Sequence, residues 1–217
     1  WHTGVDNGFG RDWDFQKVWN RPAFPGNSGN YFDDQLIQTN GPKPVMTKGY
    51  STDNYTRWAL DYLKGEERDP KKPWYLWLCY GAVHGPFTPA KRHLEAYSDA
   101  KVPIPADIYP PRPGKPAFMQ EISRWYKGDD GLPHKKGLRR ATGQQSPGRG
   151  IHGSDLHSWV RQYQQGVLAL DESVGKLIKT LKETGQYDNT LILFTAAQGF
   201  AWGQHGFRYK VAAYDAN

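Results

Sequence analysis

The sequence predicts an α/β fold, in which helices flank a layered sheet, from two strand-length apolar runs and the helical patterns beside them. Residues 74–80 (WYLWLCY) are a continuous apolar run, which is typical of a strand buried on both faces. Residues 190–195 (TLILFT) predict a second strand after a turn at residues 188–189. The order helix, strand, helix, insertion, helix, strand is typical of an α/β layered sheet.

Two helices are predicted before the insertion. Residues 52–64 form the first, because Thr52 has cap chemistry and apolar residues recur at helical spacing up to Gly65. A short helix is predicted from Pro89 to about Tyr97, since proline is favoured just inside a helix start.

The clearest helical pattern precedes the second apolar run. Ser154 or Asp155 can cap this helix, and Gly185 ends it. Its predicted stripe steps by three and four residues through Tyr163, Val167, Leu170, Val174, Leu177 and Leu181. Residues 1–49, by contrast, show no lasting period, and we expect an irregular, packed loop there.

The composition bounds the possible functions. The 217 residues can bury one sizeable core, and no run approaches the roughly 18 apolar residues that a membrane-spanning helix needs. The chain has one cysteine, Cys79, which excludes an intrachain disulfide and a cysteine-rich metal site. The formal net charge is +6, and residues 112–149 carry nine basic against three acidic residues, so this segment accounts for the whole surplus.

Polar residues follow both predicted strands. His84 lies after the first, and Gln198, His205 and Lys210 lie after the second. In a parallel sheet these strand ends meet at one edge, where two imidazoles, an amide and an ammonium would suit an anion such as sulfate or phosphate. Each residue alone has an ordinary alternative, a satisfied loop histidine or a solvated lysine, and only the arrangement favours a site.

Four motifs occur in an order that points to one enzyme family. Residues 73–87 (PWYLWLCYGAVHGPF), with residues 94–97 (LEAY), form a strand and a His-x-Pro turn. Residues 169–194 supply a long helix and a following strand, and residues 202–206 (WGQHG) with Lys210 supply a polar loop. Trp1 and His2 look like the end of a Gly-Lys-Trp-His motif. Together these motifs resemble the formylglycine-dependent, arylsulfatase-like sulfatases of the alkaline phosphatase superfamily.

The resemblance implies an alkaline phosphatase-like layered α/β fold with a mostly parallel sheet, of which N- and C-terminal portions lie outside this chain. It also implies an enzyme, a sulfuric ester hydrolase that removes sulfate from a sulfated carbohydrate or aryl ester. The partner would be a sulfated small molecule or glycan, and family analogy suggests a periplasmic or secreted location. The oligomeric state stays open.

The resemblance also assigns roles to individual residues. His2 would belong to the pair that activates the formylglycine hydrate, His84 would contact the sulfate and protonate the leaving oxygen, and Lys210 would hold a sulfate oxygen. Gln198 takes the place of an amide or imidazole ligand to the divalent cation, usually calcium. His205 receives a substrate-side role in the same loop.

The sequence departs from the family pattern at the nucleophile and at the metal. The nucleophile motif, Cys or Ser followed by x-Pro-x-Arg, does not occur, and Cys79 lies inside an apolar run. Ala197 stands where the family has a metal-binding aspartate, and we interpret Asp33 and Asp34 as a solvated acidic turn rather than an N-terminal metal pair. Because a hard divalent cation requires several oxygen ligands, Gln198 alone predicts no tight calcium binding.

We interpret residues 98–153 as a basic, Pro/Gly-rich insertion within a partial catalytic domain that covers residues 1–217. Eight prolines and seven glycines stand between residues 102 and 150, which favours an excursion over the surface. Its charges either face solvent in a flexible loop or steer a polyanion such as a sulfated glycan. No nucleic-acid-binding module accompanies them, so we expect no specific nucleic-acid partner.

Two other functions stay open at this point. The chain could belong to a phosphodiesterase or phosphonate monoester hydrolase of the same superfamily, which shares the metal loop. Alternatively, it could be a noncatalytic anion-binding relative that has lost the metal and the nucleophile.

Overall fold

A computed structural model of the chain describes residues 13–136 and 153–210. The chain forms two compact units, of which the first comprises Trp1–His84 with Gly166–Thr190 and the second Gly85–Gln165 with Leu191–Asn217. The strands are β1 (Lys17–Trp19), β2 (Asp33–Thr39), β3 (Pro44–Tyr50), β4 (Trp125–Lys127), β5 (Pro133–Lys135), β6 (Ala201–Trp202) and β7 (Arg208–Tyr209). The α-helices are α1 (Ser51–Leu63), α2 (Ala117–Gln120) and α3 (Leu156–Glu183).

The first unit contains a three-stranded antiparallel sheet in the order β1-β2-β3. The expectation of an irregular loop is therefore wrong for residues 17–49, and residues 1–12 of that predicted loop lie outside the described residues. The central strand buries the amide side chains of Gln35 and Gln38 together with Ile37, so no alternating apolar pattern is visible in the sequence. Tyr55 donates a hydrogen bond to Gln35 Oε1 at 2.7 Å, and Asn20 donates to Gln38 Oε1 at 2.9 Å, which satisfies these buried groups.

Helix α1 confirms the predicted helix to within one residue at each end. Its start differs from the prediction, because the N-cap is Tyr50 and no side chain caps the helix. Ser51 instead donates through its hydroxyl to the carbonyl oxygen of Tyr31 at 2.7 Å. Within the same unit, Thr56 Oγ1 on α1 donates to Ser173 Oγ on α3 at 2.7 Å.

Helix α3 confirms the clearest sequence prediction, including both of its ends. Asp155 Oδ1 accepts a hydrogen bond from the backbone N–H of Ser158 at 2.9 Å, and Gly185 adopts a left-handed φ of 68° after the last turn. The buried face is rotated from the predicted stripe, since Ala169 and Ser173 are buried whereas Val167 is exposed. The helix therefore buries small and polar residues in its middle turns, in addition to apolar residues such as Trp159 and Leu181 nearer its ends.

The two apolar runs are not strands within the described residues. Residues 74–80 and 190–195 have no strand assignment, and every described sheet is antiparallel. Tyr75 is 72% exposed and Trp77 61%, so burial on both faces is wrong for the first run. Leu191 and Leu193 are 84% and 82% exposed in the second. A strand forms only beside a hydrogen-bonded neighbour, and residues 13–136 and 153–210 supply none for these runs.

The second unit departs from the prediction between residues 89 and 97, where a single 3-10 turn, Lys91–His93, replaces the short helix. Later in this unit, β4 and β5 form an antiparallel hairpin with Trp125 opposite Lys135. This hairpin and the buried Met119 lie inside the predicted insertion, whose boundaries at 98 and 153 stay a prediction. Among the described residues, none of the helices combines the length and the hydropathy that a transmembrane span requires.

Candidate functional site

The β6–β7 hairpin carries the loop that the sequence singles out. Trp202 pairs with Arg208, and the backbone N–H of Gly203 donates to the carbonyl of Phe207 at 3.2 Å. Gly203 (φ 103°) and Gly206 (φ 74°) have left-handed backbone conformations that glycine adopts easily. His205 lies between them and also has positive φ, at 53°. A left-handed backbone is unfavourable for a residue other than glycine, so neighbouring groups must stabilise His205 in this conformation.

Asp107 supplies that support. Its Oδ1 accepts a hydrogen bond from the backbone N–H of His205 at 3.0 Å, and its Oδ2 pairs with the imidazole Nδ1 of the same residue. Partial burial would raise the pKa of Asp107, but the hydrogen bonds from His205 outweigh it and hold the pKa below its ordinary value. The carboxylate is therefore ionised, and His205 Nδ1 is the donor.

Arg112 holds the segment that presents Asp107. Its guanidinium is 1% exposed and donates from Nε to the carbonyl of Asp107 at 2.7 Å and from Nη2 to the carbonyl of Ile108 at 2.9 Å. Burial lowers the pKa of Arg112 from its ordinary value. A Cβ atom at Gly206 would collide with this guanidinium and would lie 3.2 Å from the carbonyl oxygen of Ile108. Gly206 therefore allows the loop to approach Arg112 closely.

An aromatic cluster forms the base of the hairpin. Its rings pack edge to face or tilted, with centroids 4.6–6.1 Å apart. The members are Phe87, Trp159, Tyr163, Phe200, Trp202 and Tyr209. Trp125 Nε1 donates to the carbonyl of Phe207 at 3.2 Å, so the loop is fixed to the core of the second unit.

The other predicted residues of this loop lie at its two ends. Ala197 and Gln198 are exposed and precede β6, and Lys210 is exposed directly after β7. Gln198 and Lys210 thus flank the hairpin that carries His205, and a shared role for these three residues stays a prediction.

His84 belongs to the first unit, and His2 lies outside the described residues. The imidazole of His84 stacks on the ring of Tyr31 with centroids 3.9 Å apart and planes inclined by 3°. Arg21 lies over the same ring, 4.7 Å from its centroid, and donates to the Tyr31 hydroxyl. Burial raises the pKa of Tyr31, and the charge of Arg21 partly opposes this. The predicted meeting of His84 with the β6–β7 loop stays a prediction.

The residues at the expected metal position do not fit a calcium ion. Ala197 offers a methyl group and Gln198 one amide oxygen, whereas a hard cation prefers several carboxylates. Within residues 13–136 and 153–210, no three His, Cys, Asp or Glu side chains lie together so that they could hold a metal.

Two further candidates from the sequence also have ordinary explanations. Asp33 and Asp34 begin strand β2 rather than a loop, and Asp34 pairs with Lys48 at 2.9 Å. Hydrogen bonds from Lys48 and Gly49 lower the pKa of Asp34. Cys79 is exposed instead of lying in a buried strand, and desolvation raises the pKa of its thiol, which disfavours the nucleophilic thiolate.

Sequence reasoning missed Asp107 and Arg112, and it considered Lys135 only as part of the basic segment that either faces solvent or steers a polyanion. Asp107 and Arg112 lie in a proline-rich stretch without periodicity, and Asp107 is 98 positions from the histidine that it holds. Their sequence signal is weak: a buried arginine looks like a solvated one until its carbonyl partners are known.

Comparisons with known proteins add a family and a fold. The family model described as Sulfatase matches residues 1–216. The N-acetylglucosamine-6-O-sulfatase of Bacteroides thetaiotaomicron is 28% identical over 225 residues, which cover 86% of this chain and 39% of the relative. The arylsulfatase of Clostridium perfringens is 26% identical, with 73% of this chain and 28% of the relative covered.

A solved structure shares the fold. The structure of BT4656 in complex with its substrate D-glucosamine-2-N,6-O-disulfate superposes with a TM-score of 0.71 and 24% identity. The match covers 94% of this chain and 47% of that chain. The chain therefore spans less than half the length of these relatives.

Proposed function

Because the chain belongs to the sulfatase family, we propose that the whole protein is a sulfuric ester hydrolase that removes sulfate from a sulfated carbohydrate. The family match over residues 1–216 carries this proposal. The carbohydrate class is supported by the name of the Bacteroides thetaiotaomicron relative and by the disulfated glucosamine that BT4656 binds. An aryl ester is the other substrate class, supported by the arylsulfatase of Clostridium perfringens.

The described residues supply anion binding and proton donation. Lys210 would hold a sulfate oxygen, since an ammonium is a compact point charge that stabilises the negative oxygens of the transition state. His84 would donate a proton to the departing alkoxide, because an imidazole titrates near neutral pH. His205, held by Asp107, would contact the substrate beside the sulfate.

Sulfate release by the full-length protein tests this proposal. Glucosamine 6-O-sulfate and an aryl sulfate serve as probes, and the sulfate formed is measured by ion chromatography. We expect Lys210→Ala to lower kcat/KM by about 10²-fold or more, as the loss of a charged transition-state contact does. Lys101→Ala, which removes an exposed lysine outside this loop, is the matched control. Absence of sulfate release from every ester by the unmodified protein would refute the proposal.

A specific observation favours a second enzyme function. The multifunctional alkaline phosphatase superfamily protein PehA of Trinickia caryophylli is 27% identical over 176 residues, which cover 80% of this chain. A phosphodiesterase or phosphonate monoester hydrolase would use the same anion-binding loop. Faster release from a phosphodiester than from any sulfate ester would favour this alternative.

The exposed Ala197 and Gln198 favour a third candidate, a noncatalytic anion-binding relative. Such a protein would bind a sulfated sugar without turnover. Sulfate binding that is abolished by Lys210→Ala, with no ester cleaved, would identify it.

A further inference from the structure

Lys135 occupies an unusual place for a lysine side chain. It ends β5, and its Nζ lies 4.5 Å from the ring centroid of Trp159 in the aromatic cluster. The side chain is only half-buried, so it covers the indole and still reaches solvent. A cation over an indole face stabilises by about 0.5–1 kcal/mol at such partly exposed sites. The contact with Trp159 therefore restrains the aliphatic part of the Lys135 side chain.

A second cation, Arg208, lies beside Lys135. Arg208 is 4% exposed, and its Nη1 donates to the carbonyl of Lys136 at 3.1 Å. Its guanidinium carbon lies 4.7 Å from the ring centroid of Tyr209. Within residues 13–136 and 153–210, no group accepts a hydrogen bond from its buried Nε. An arginine normally satisfies its donors when it is buried, so this nitrogen marks an incomplete environment.

Positive charge exceeds negative charge around this pair. Desolvation, and then the charge of Arg208, lowers the pKa of Lys135 to about 8. Desolvation also lowers the pKa of Arg208, the interaction with Tyr209 opposes this, and the charge of Arg124 lowers the pKa further. Asp155 opposes the shift of Lys135 more weakly, and its carboxylate already accepts a hydrogen bond from Ser158 at 2.9 Å. Clustered, desolvated cations destabilise a fold unless an anion pairs with them.

We propose that Lys135, backed by the buried charge of Arg208, forms a subsite for a second anionic group of the substrate, such as a further sulfate or a carboxylate on the same saccharide. This inference rests on the proposed function, because it concerns a second group on the same substrate. The ammonium of Lys135 makes the direct contact, since Arg208 is almost fully covered.

The position of the pair fits this assignment. Arg208 precedes Lys210 by two residues, so their Cα atoms lie within about 7 Å of each other. Because the charge of Arg208 acts on Lys135, Lys135 lies in the same part of the second unit as Lys210. Lys210 would then hold the sulfate that is released, while Lys135 would select substrates with an additional negative charge.

Inorganic sulfate binding to the full-length protein tests the subsite without any turnover. The probe is sodium sulfate, with sodium chloride at matched ionic strength as the reference, and binding is followed by calorimetry and by the increase in Tm. Lys135→Met keeps the apolar stem on Trp159 and removes the charge. We expect it to weaken the sulfate affinity by about tenfold or more, as the loss of a charge-assisted hydrogen bond does. Lys101→Met is the matched control and keeps the wild-type affinity.

A variant at the other sulfate position separates the two sites. Lys210→Met leaves one sulfate-binding event that depends on Lys135. Equal sulfate affinity in the wild-type chain and in Lys135→Met would overturn the subsite, and Lys135 would then only cover Trp159.

A chemical measurement covers the case in which Lys135→Met does not fold. Acetylation of the wild-type chain at pH 8 is followed residue by residue by mass spectrometry, with and without sulfate. We expect sulfate to slow acetylation of Lys135 at least threefold and to leave Lys101 unaffected. Equal rates with and without sulfate would contradict the proposal.

The full-length protein links the subsite to substrate choice. We expect Lys135→Met to raise KM for a doubly sulfated glucosamine more than KM for the singly sulfated sugar. If the unmodified protein cleaves no ester, the proposed function fails, whereas the sulfate-binding result for Lys135 still decides the subsite.

Discussion

The carboxylate of Asp107 binds His205 twice, accepting one hydrogen bond from its backbone N–H at 3.0 Å and one from its imidazole Nδ1. A single side chain thus fixes both the left-handed backbone of His205 and the orientation of its ring. Any proton that His205 exchanges with a substrate would therefore pass through Nε2. Arg112 in turn fixes Asp107 by holding the carbonyl oxygens of its segment.

We expect Asp107→Asn to lower the stability of the chain by about 1 kcal/mol, because an amide oxygen can replace only one of the two acceptors. Nitrogen NMR shifts of the imidazole should show Nδ1 protonated in the wild type and a mixture of tautomers in the variant. Asp129→Asn, at an exposed position, is the control. An unchanged His205 tautomer would mean that Asp107 does not set the ring.

The same pair predicts a dependence on pH. Because the pKa of Asp107 is lowered in the fold, the stability that it contributes is complete above the ordinary aspartate pKa and is lost as the pH falls through the lowered value. The difference in Tm between wild type and Asp107→Asn should therefore be largest near pH 7 and vanish in acid. A difference that grows below pH 4 would contradict this linkage.

We expect Gly206→Ala to destabilise the chain by about 2–4 kcal/mol. The new methyl group would meet the buried guanidinium of Arg112, and alanine is strained at a φ of 74°. Gly175→Ala is the comparison, because Gly175 lies within α3 and an added Cβ meets nothing within 4 Å. Alanine at position 175 should increase the free energy of unfolding by about 0.5–1 kcal/mol relative to glycine. Urea unfolding measures both, and a similar effect at the two positions would refute this account.

Calorimetric titration should detect no micromolar binding of calcium to this chain. Ala197 supplies no ligand and Gln198 supplies one amide oxygen. Ala197→Asp adds a carboxylate at this position and should increase the calcium affinity measurably, whereas Ala196→Asp, one residue away, serves as the control for added charge. Micromolar affinity in the unmodified chain would sink the prediction.

The exposed second apolar run should make the chain self-associate at micromolar concentrations. Leu191 and Leu193 are more than 80% exposed and alternate along the chain, so they present an apolar edge to other molecules. The double variant Leu191→Lys with Leu193→Lys should increase the monomer fraction in sedimentation velocity. Ser98→Lys with Ala100→Lys adds the same charge at other exposed positions and should not. Equal monomer fractions in both variants would contradict a role for this run.

The sequence predicts the elements whose signals are local. Helices α1 and α3 were predicted because spacing, Asp155 and Gly185 act within a few residues of the helix itself. The motif-based family and its alkaline phosphatase-like α/β fold class are confirmed by the Sulfatase match and the shared structure. For the site, His205 lies in the turn of the β6–β7 hairpin and Gln198 and Lys210 flank it, whereas the roles of the three residues stay predictions.

The parts of the fold and of the site that the sequence did not predict depend on contacts between residues far apart in the chain. Strand β2 was missed because its buried Gln35 and Gln38 are polar, and only their tertiary hydrogen bonds make burial favourable. The run at residues 74–80 was wrongly expected to be a buried strand, because apolar composition does not specify a hydrogen-bonded neighbour. Asp107 could not be assigned, since nothing near it in the chain points to His205.

Arg112 has a consequence for how this protein can diversify. Its guanidinium donates to main-chain carbonyl oxygens, those of Asp107, Ile108, Met119 and Ile122. A carbonyl oxygen is present whatever side chain its residue carries, so mutation of these partners leaves the bonding pattern available. Related proteins can therefore exchange the side chains around this arginine without losing the main-chain frame that it holds, provided that the arginine itself is kept.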